Sequence, residues 1–424
     1  MAEAKRVVIS GYYGFGNLGD EAILGVLLEE LRSLGSRGDL RIEPVVLSAA
    51  PRETARLYGV KAVDRSNPRE VRRAIRAADA FLSGGGGLLQ DETSRRSALY
   101  YLGLIAYALR HCPVYLVGQG LGPLRSRLVT RWARSLLPRA AFATVRDEPS
   151  AKLLRGWGLP AKRLARGSDL ALLLASRGGD CAGSPAPADA AAADPEGGRP
   201  YVLIALRGTP PEGLAEGLVH QLAYVQRELG LRPVFFALHP PEDREGMEAL
   251  AARLTPRPPV LRAEGASVAE ALCVFRRARA VVGMRLHALI FALLGEVPFL
   301  AVGGPTKLET FARQVERAGG PALPCAVPEQ VASFEVELAA VLEGFRGEEE
   351  ALRARLRVAR DVLYNQTRRA TDALLRRLRE DLSASAGTVG EAHPAGERGA
   401  KVHVASQSKS QSKSQSQAPS RGAR

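Results

Sequence analysis

The sequence predicts an α/β protein of two Rossmann-like lobes, followed by a long helix and a disordered tail, and three observations carry that reading. Short apolar strands alternate with amphipathic helical stretches through residues 1–175. Residues 176–200, dominated by Gly, Ala, Pro and Asp without an apolar period, interrupt the alternation as a flexible linker. A second alternating set then fills residues 201–346. Strands that alternate with helices imply right-handed crossovers and parallel sheets.

In the first lobe the strands fall at 6–10, 44–48, 80–83, 114–118 and 142–146. Between them, the segment 20–34 places Ile23, Val26, Leu27 and Leu31 at three- and four-residue spacing, and 97–111 is a second helix. The second lobe has strands at 201–206, 233–238, 280–283 and 298–302, with helices near 212–229, 242–253 and 268–277. Residues 347–382 form the long helix, since Leu352, Leu356, Ala359, Leu363, Leu374, Leu378 and Leu382 keep helical spacing among arginines and acids. A helix of that pattern packs across one or both lobes. Residues 383–424, low in complexity and rich in Ser, Gln and Lys, form the disordered tail.

A chain of 424 residues that is 46% hydrophobic can bury two cores. Its longest apolar runs, 114–117 and 288–294, are far shorter than the roughly 20 residues a bilayer span needs. The amino terminus runs straight into a strand without a cleavable signal pattern, so a cytoplasmic location is expected. Four cysteines (Cys112, Cys181, Cys273 and Cys325) lie far apart with no CxxC pair, which suggests neither a zinc site nor a disulfide framework. The net charge is +14, of which the tail's six basic and two acidic residues supply +4, leaving +10 on the rest. That excess suits an anionic substrate, an anionic membrane surface met through a basic face, or nucleic acid, or it reflects an arginine-rich composition. With 5% aromatic residues and no basic-aromatic stacking pattern, nucleic acid is disfavoured.

Glycine-rich loops follow the strands, at the carboxyl edge where open α/β sheets bind ligands. The first spans residues 11–21 and carries Gly16, Asn17, Gly19, Asp20 and Glu21, where backbone amides and the positive helix end would meet an anion. Gly14, Gly16 and Gly19 match GxGxxG, but several residues precede Gly14 and no acid ends the second strand, so a dinucleotide site is a weak reading. Asp20 and Glu21 either cap the helix or, for Asp20, face the cleft and orient an acceptor hydroxyl. The second loop, with Gly85 and Gly86, lacks the lysine and hydroxyl of a P-loop. Gln119 lies in the third loop and Arg146 follows the fifth strand. In the second lobe, Arg207 follows one strand and Lys307 the last. Arg285 and His287 alternate on an extended segment and so face one side. A guanidinium grips phosphate or carboxylate in bidentate fashion, and a histidine exchanges protons near neutral pH. The alternative for His287 is a side chain satisfied within a helix's first turn.

Taken together and in order, SGYYGFGNLGDEAIL, SGGGGLLQD, GQGLGP, RDEPS, GSDLA, GMRLHALIFA and Lys307 resemble the polysaccharide pyruvyltransferase family, CsaB type. The resemblance implies a fold like the type B glycosyltransferases and transfer of pyruvate from phosphoenolpyruvate to two hydroxyls of a sugar, giving a cyclic ketal and phosphate. It further implies an N-acetylmannosamine acceptor in a lipid-linked secondary cell-wall polymer precursor, and a role in anchoring surface-layer proteins. Carried over by motif, Arg146, Arg285 and Lys307 would bind the donor, His287 would be the acid or base, and Asp20 would activate the acceptor. No cofactor and no metal are implied. The long linker and the tail depart from the family pattern without touching these residues.

A nucleotide-sugar glycosyltransferase of the same architecture is the principal rival. It usually wants an acid for the ribose in the second lobe, and after Gly283 none occurs until Glu296. A non-enzymatic relative that uses its basic surface on membrane or polymer is the other.

Overall fold

The computed structural model describes residues 4–36, 40–92, 94–177, 200–263, 267–303, 307–333 and 336–387. Eight strands make the first sheet: β1 (Lys5–Ser10), β2 (Ile42–Ser48), β3 (Lys61–Asp64), β4 (Ala80–Ser83), β5 (Gly86–Leu89), β6 (Val114–Leu121), β7 (Phe142–Val145) and β8 (Leu164–Arg166). All pair in parallel in the order β3-β2-β1-β4-β6-β7-β8, with β5 set beside β6. Val7, Val8 and Ile9 of β1 are fully buried, as befits a central strand covered by helices on both faces.

The second sheet has six parallel strands: β9 (Tyr201–Ala205), β10 (Arg232–Ala237), β11 (Val260–Arg262), β12 (Ala280–Gly283), β13 (Phe299–Val302) and β14 (Cys325–Ala326). Its order is β11-β10-β9-β12-β13-β14, so both sheets reverse direction beside their first strand. That reversal opens a crevice at the carboxyl edge, between β1 and β4 in one lobe and between β9 and β12 in the other.

Every strand read from the sequence is present, with ends within two residues except that β6 runs three residues further, to Leu121. Five others, β3, β5, β8, β11 and β14, carry no alternation over their two to four residues and owe their form to neighbours already in the sheet.

The final helix, Glu349–Gly387, is longer than expected and continues five residues past Leu382. It clamps both lobes. On the second, Arg357 and Arg360 grip Glu296, and Arg355 donates to the Gly320 carbonyl. On the first, Arg368 forks onto the Glu30 carboxylate with two 2.6 Å bonds, and Tyr115 donates to Asp381. The helical turn Leu170–Arg177 takes in the first two residues expected in the linker. Residues 178–199 of that linker and residues 388–424 of the tail lie outside the described residues.

Among the described residues no helix is long and apolar enough to cross a membrane. Cys112 and Cys325 are free thiols, but Cys273 is disulfide-bonded, against the expectation of no disulfide, because separation in sequence does not set separation in space. Cys181 lies outside the described residues.

Candidate active site between the lobes

The carboxyl edges of the two sheets face each other, and direct bonds join them. Leu18 N, the first amide of the helix Leu18–Ser36, donates to the Leu238 carbonyl at 3.0 Å, and His239 Nε2 meets the Phe15 carbonyl at 3.1 Å. Gln314 donates to the Arg146 carbonyl at 2.9 Å and pairs with Ser168 Oγ at 3.1 Å.

These contacts revise the role of the first glycine loop. Gly14 N donates to the Glu21 carboxylate at 2.8 Å, Gly19 N to Asn17 Oδ1 at 3.1 Å, and Leu18 N is already taken. These three amides, expected to receive an anion, are bonded within the protein. Glu21 also accepts from the Tyr58 hydroxyl at 2.8 Å, so it holds the loop and not a ligand. Gly16 is exposed, with φ +73° and open space around it. Gln119, fully buried, donates to Ser83 O and Gly84 O and pins the second glycine loop to β6.

What the glycines provide is room for side chains. A Cβ at Gly19 would overlap the His287 ring, one at Gly120 would overlap the Arg146 guanidinium, and one at Gly87 would sit 2.6 Å from Lys307 Nζ. Gly86, at φ +103°, passes under Asp20, where a Cβ would lie 3.2 Å from Oδ1. Gly85 packs against Ile23.

Beside this bed, at Arg146 and Lys307, lies a cavity of about 250 Å³, lined by Gly120 to Pro123, Arg146, Ser168 and Asp169 from the first lobe and by Leu286, Lys307 and Gln314 from the second; His287 and Asp20 stand behind this lining. Arg146, 6% exposed, donates through Nη1 to Asp169 Oδ2 at 3.2 Å, with Asp147 Oδ2 3.8 Å from its Nε. Asp147 is itself engaged as the cap of the helix Glu148–Gly156, accepting from Ser150 N. Lys307 forms no ion pair among the described residues. Burial first, then the charges of Arg146 and Arg207, lower its pKa to about 8.

His287 starts the helix Leu286–Leu294, with Nε2 3.7 Å from Asp169 Oδ1. That is too long for a hydrogen bond, and the buried nitrogen has no other partner. Burial works to raise the Asp169 pKa, but His287, Arg146 and the Ala171 amide outweigh it and hold it at about 2. Asp20 moves the opposite way. Burial, reinforced by Glu21 and Asp169 against the pull of His287 and Arg146, raises it to about 7. Two carboxyls beside one histidine are thus driven apart, one a fixed anion and the other able to exchange a proton near neutrality.

Arg285 lies outside this cavity. Its Nε donates to Asp243 Oδ2 at 2.6 Å and its Nη2 to Glu242 Oε2 at 2.8 Å and to Asp243 Oδ1. Arg207 stands 3.5 Å from Glu242, and His239 Nδ1 3.1 Å from it. The sequence grouped Arg285 and Arg207 with Arg146 and Lys307; the structure puts the two pairs in adjoining clusters. Tyr12 bridges them, half-buried and influenced by both Asp20 and Arg285. Its ring stacks on Phe15 at 4.1 Å with an 11° interplanar angle, and Arg65 backs Phe15 at 4.8 Å.

Asp169, Gln314, Gly87 and Gly120 went unassigned in the sequence reading. Asp169 lies in the GSDLA motif, just past β8, but β8 is three residues long and carries no pattern that marks a strand end. Gln314 had none.

Solved structures share this architecture at low identity. MnaA from S. aureus, solved with UDP, superposes with a TM-score of 0.58 at 13% identity, covering 91% of this chain and 98% of that one. The UDP-GlcNAc 2-epimerase from Neisseria meningitidis, bound to UDP-GlcNAc, gives 0.57 at 12%, covering 88% and 100%. A glycosyltransferase from Rickettsia africae gives 0.57 at 10%, covering 92% and 100%. The fold is therefore that of the two-lobed type B glycosyltransferases and epimerases. No curated protein sequence matches the chain. The family profile described as polysaccharide pyruvyl transferase matches residues 17–304, a span that holds Asp20, Arg146, Asp169 and His287. On that match, over more than half its length, the chain belongs to the polysaccharide pyruvyl transferase family and is a transferase.

Proposed function

We propose that the protein transfers pyruvate from phosphoenolpyruvate to two hydroxyls of an N-acetylmannosamine unit in a lipid-linked cell-wall polysaccharide precursor, as in the CsaB type, at the inner face of the cell membrane and without a cofactor. The observation that carries the donor is the unpaired ammonium of Lys307 beside Arg146 in a cavity of about 250 Å³. Two cations around so small a volume suit a compact donor carrying both carboxylate and phosphate, since drug-sized ligands occupy roughly 300–1,000 Å³.

The chemistry balances without an external oxidant or reductant. A proton from the His287 and Asp20 pair adds to the donor's methylene carbon, which becomes a methyl group. The central carbon turns electrophilic, one sugar hydroxyl adds there, and the C–O bond to phosphate breaks. The second hydroxyl closes the ketal. Of the two hydroxyl protons released, one restores the acid and the other leaves with phosphate. Asp169 offsets the charge of His287 when it is protonated, while Arg146 and Lys307 stabilise the charge growing on phosphate. The Tyr12 and Phe15 stack, beside Asp20, offers a flat apolar face for the acceptor ring.

The rival donor is a nucleotide sugar, favoured by neighbours that were solved with UDP and UDP-GlcNAc. The test incubates the protein with phosphoenolpyruvate and a lipid-linked or synthetic N-acetylmannosamine disaccharide and follows phosphate release and product mass. Phosphate release with the mass of a pyruvyl ketal is expected. Turnover of a UDP-sugar in place of phosphoenolpyruvate would replace this reading.

A further inference from the structure

Two exposed apolar side chains, Leu128 at 44% and Trp132 at 42%, stand one turn apart on the helix Arg127–Leu136. That helix buries Val129, Ala133 and Leu136 against the first lobe. Its outer face presents Arg127, Arg131 and Arg134, all exposed and without an ion pair among the described residues. The surrounding sequence, residues 94–146, contains nine arginines and neither aspartate nor glutamate. A second exposed pair, Val358 and Val362, lies on the last helix, but Arg357 and Arg360 beside it are neutralised by Glu296 and Asp361.

The basic-apolar face adjoins the active site. Gly120 to Pro123 line the cavity, and the helix begins four residues later. Asp91 fixes that start, accepting from Arg125 N and Ser126 N at 2.7 Å each and tying it to the end of the second glycine loop.

We propose that this face docks the enzyme on an anionic lipid bilayer, with Trp132 and Leu128 entering the headgroup boundary and Arg127, Arg131 and Arg134 meeting lipid phosphates. A helix with unpaired arginines along one side and a tryptophan and leucine at its rim has the chemistry of an interfacial segment. A soluble polyanion would use the arginines but leave the apolar pair in water. The inference rests on this surface and is independent of the donor and acceptor proposed above.

The full chain is sedimented with phosphatidylcholine vesicles and with vesicles holding about 30% phosphatidylglycerol, at low and high salt. Binding is expected to the anionic vesicles, to weaken with salt, and to shift Trp132 fluorescence to the blue, a shift absent in W132F. The triple variant R127Q/R131Q/R134Q should bind about 100-fold more weakly, roughly fivefold for each guanidinium lost. L128S/W132S should lose the shift and most of the binding. A charge-matched control on the exposed helix Pro68–Arg76, R69Q/R72Q/R76Q, should bind like the parent. Equal loss in that control, no binding to anionic vesicles, or full retention by L128S/W132S would overturn the proposal. The last outcome would point to a soluble anionic polymer as the partner.

Discussion

Arg146 and Arg285 follow strands at the carboxyl edges of their two sheets, yet they are held in opposite ways. Asp169 takes one nitrogen of Arg146, and the neighbouring cation, Lys307, has no ion pair among the described residues. Arg285 gives its Nε and Nη2 to Asp243, which is fully buried, and to Glu242. A cation serves a ligand when its donors are free to turn toward it; a cation whose donors are bonded holds the fold. By that criterion we propose that the Arg146 cluster serves the donor and the Arg285 cluster the fold, although both arginines lie just past a strand.

Substitution separates them, and the largest effect is expected at Arg146. Arg146→Ala should lower kcat/KM for the donor by about 10³-fold, chiefly through stabilisation lost in the transition state. Arg285→Ala should instead show in denaturant unfolding, with a loss of up to about 3–5 kcal/mol from leaving the buried Asp243 carboxylate without its cation, held by the amides of Gly208 and His239. A raised donor KM in a stable Arg285→Ala protein would erase the distinction and return Arg285 to the donor site.

Next comes the glycine bed. Gly19→Ala places a methyl group against the His287 ring, and a catalytic group displaced by about 1 Å costs on the order of 10²-fold in kcat. Gly16→Ala meets no neighbour and suffers only its positive φ, so it should cost about 1 kcal/mol of stability with kcat unchanged. Equal kcat losses at both would mean that the loop's conformation, and not its clearance for His287, matters.

The pH dependence should be smaller and graded. With the Lys307 pKa lowered to about 8, its charge is lost above that pH, and kcat/KM should fall by up to about tenfold per unit. Lys307→Arg should carry that limb to higher pH. Asp20 gives a further readout in stability. Its pKa rises from 3.8 to about 7 on folding, so the folded state binds the proton more tightly. The stability this confers is present at low pH and lost as pH rises through about 7, a loss that Asp20→Asn should not show in parallel thermal melts.

The smallest effect tests Asp169 by the same linkage with opposite sign. Its pKa falls from 3.8 to about 2, so its contribution is present above 3.8 and lost as pH drops toward 2. Asp169→Asn should flatten that acid limb of the unfolding curve.

The sequence by itself determined the two lobes, because short continuous apolar runs mark strands covered on both faces, as in β1, β6, β9 and β12, and three- and four-residue apolar spacing marks the helices between them. It also placed Arg146, Arg285, His287 and Lys307 after strands at the carboxyl edge, while leaving Asp20 between capping its helix and facing the cleft. Edge strands such as β8 left little trace, since two or three residues hold their form through the sheet they join, and GSDLA alone gave Asp169 no role. Only the tertiary structure decided that Gly19, Gly87 and Gly120 clear space for side chains, that Glu21 and Gln119 brace loops, and that Arg285 is bonded to Asp243 while Lys307 has no ion pair among the described residues. Those outcomes depend on which charges from distant segments meet across the interlobe contact, and residue spacing carries no information about that meeting.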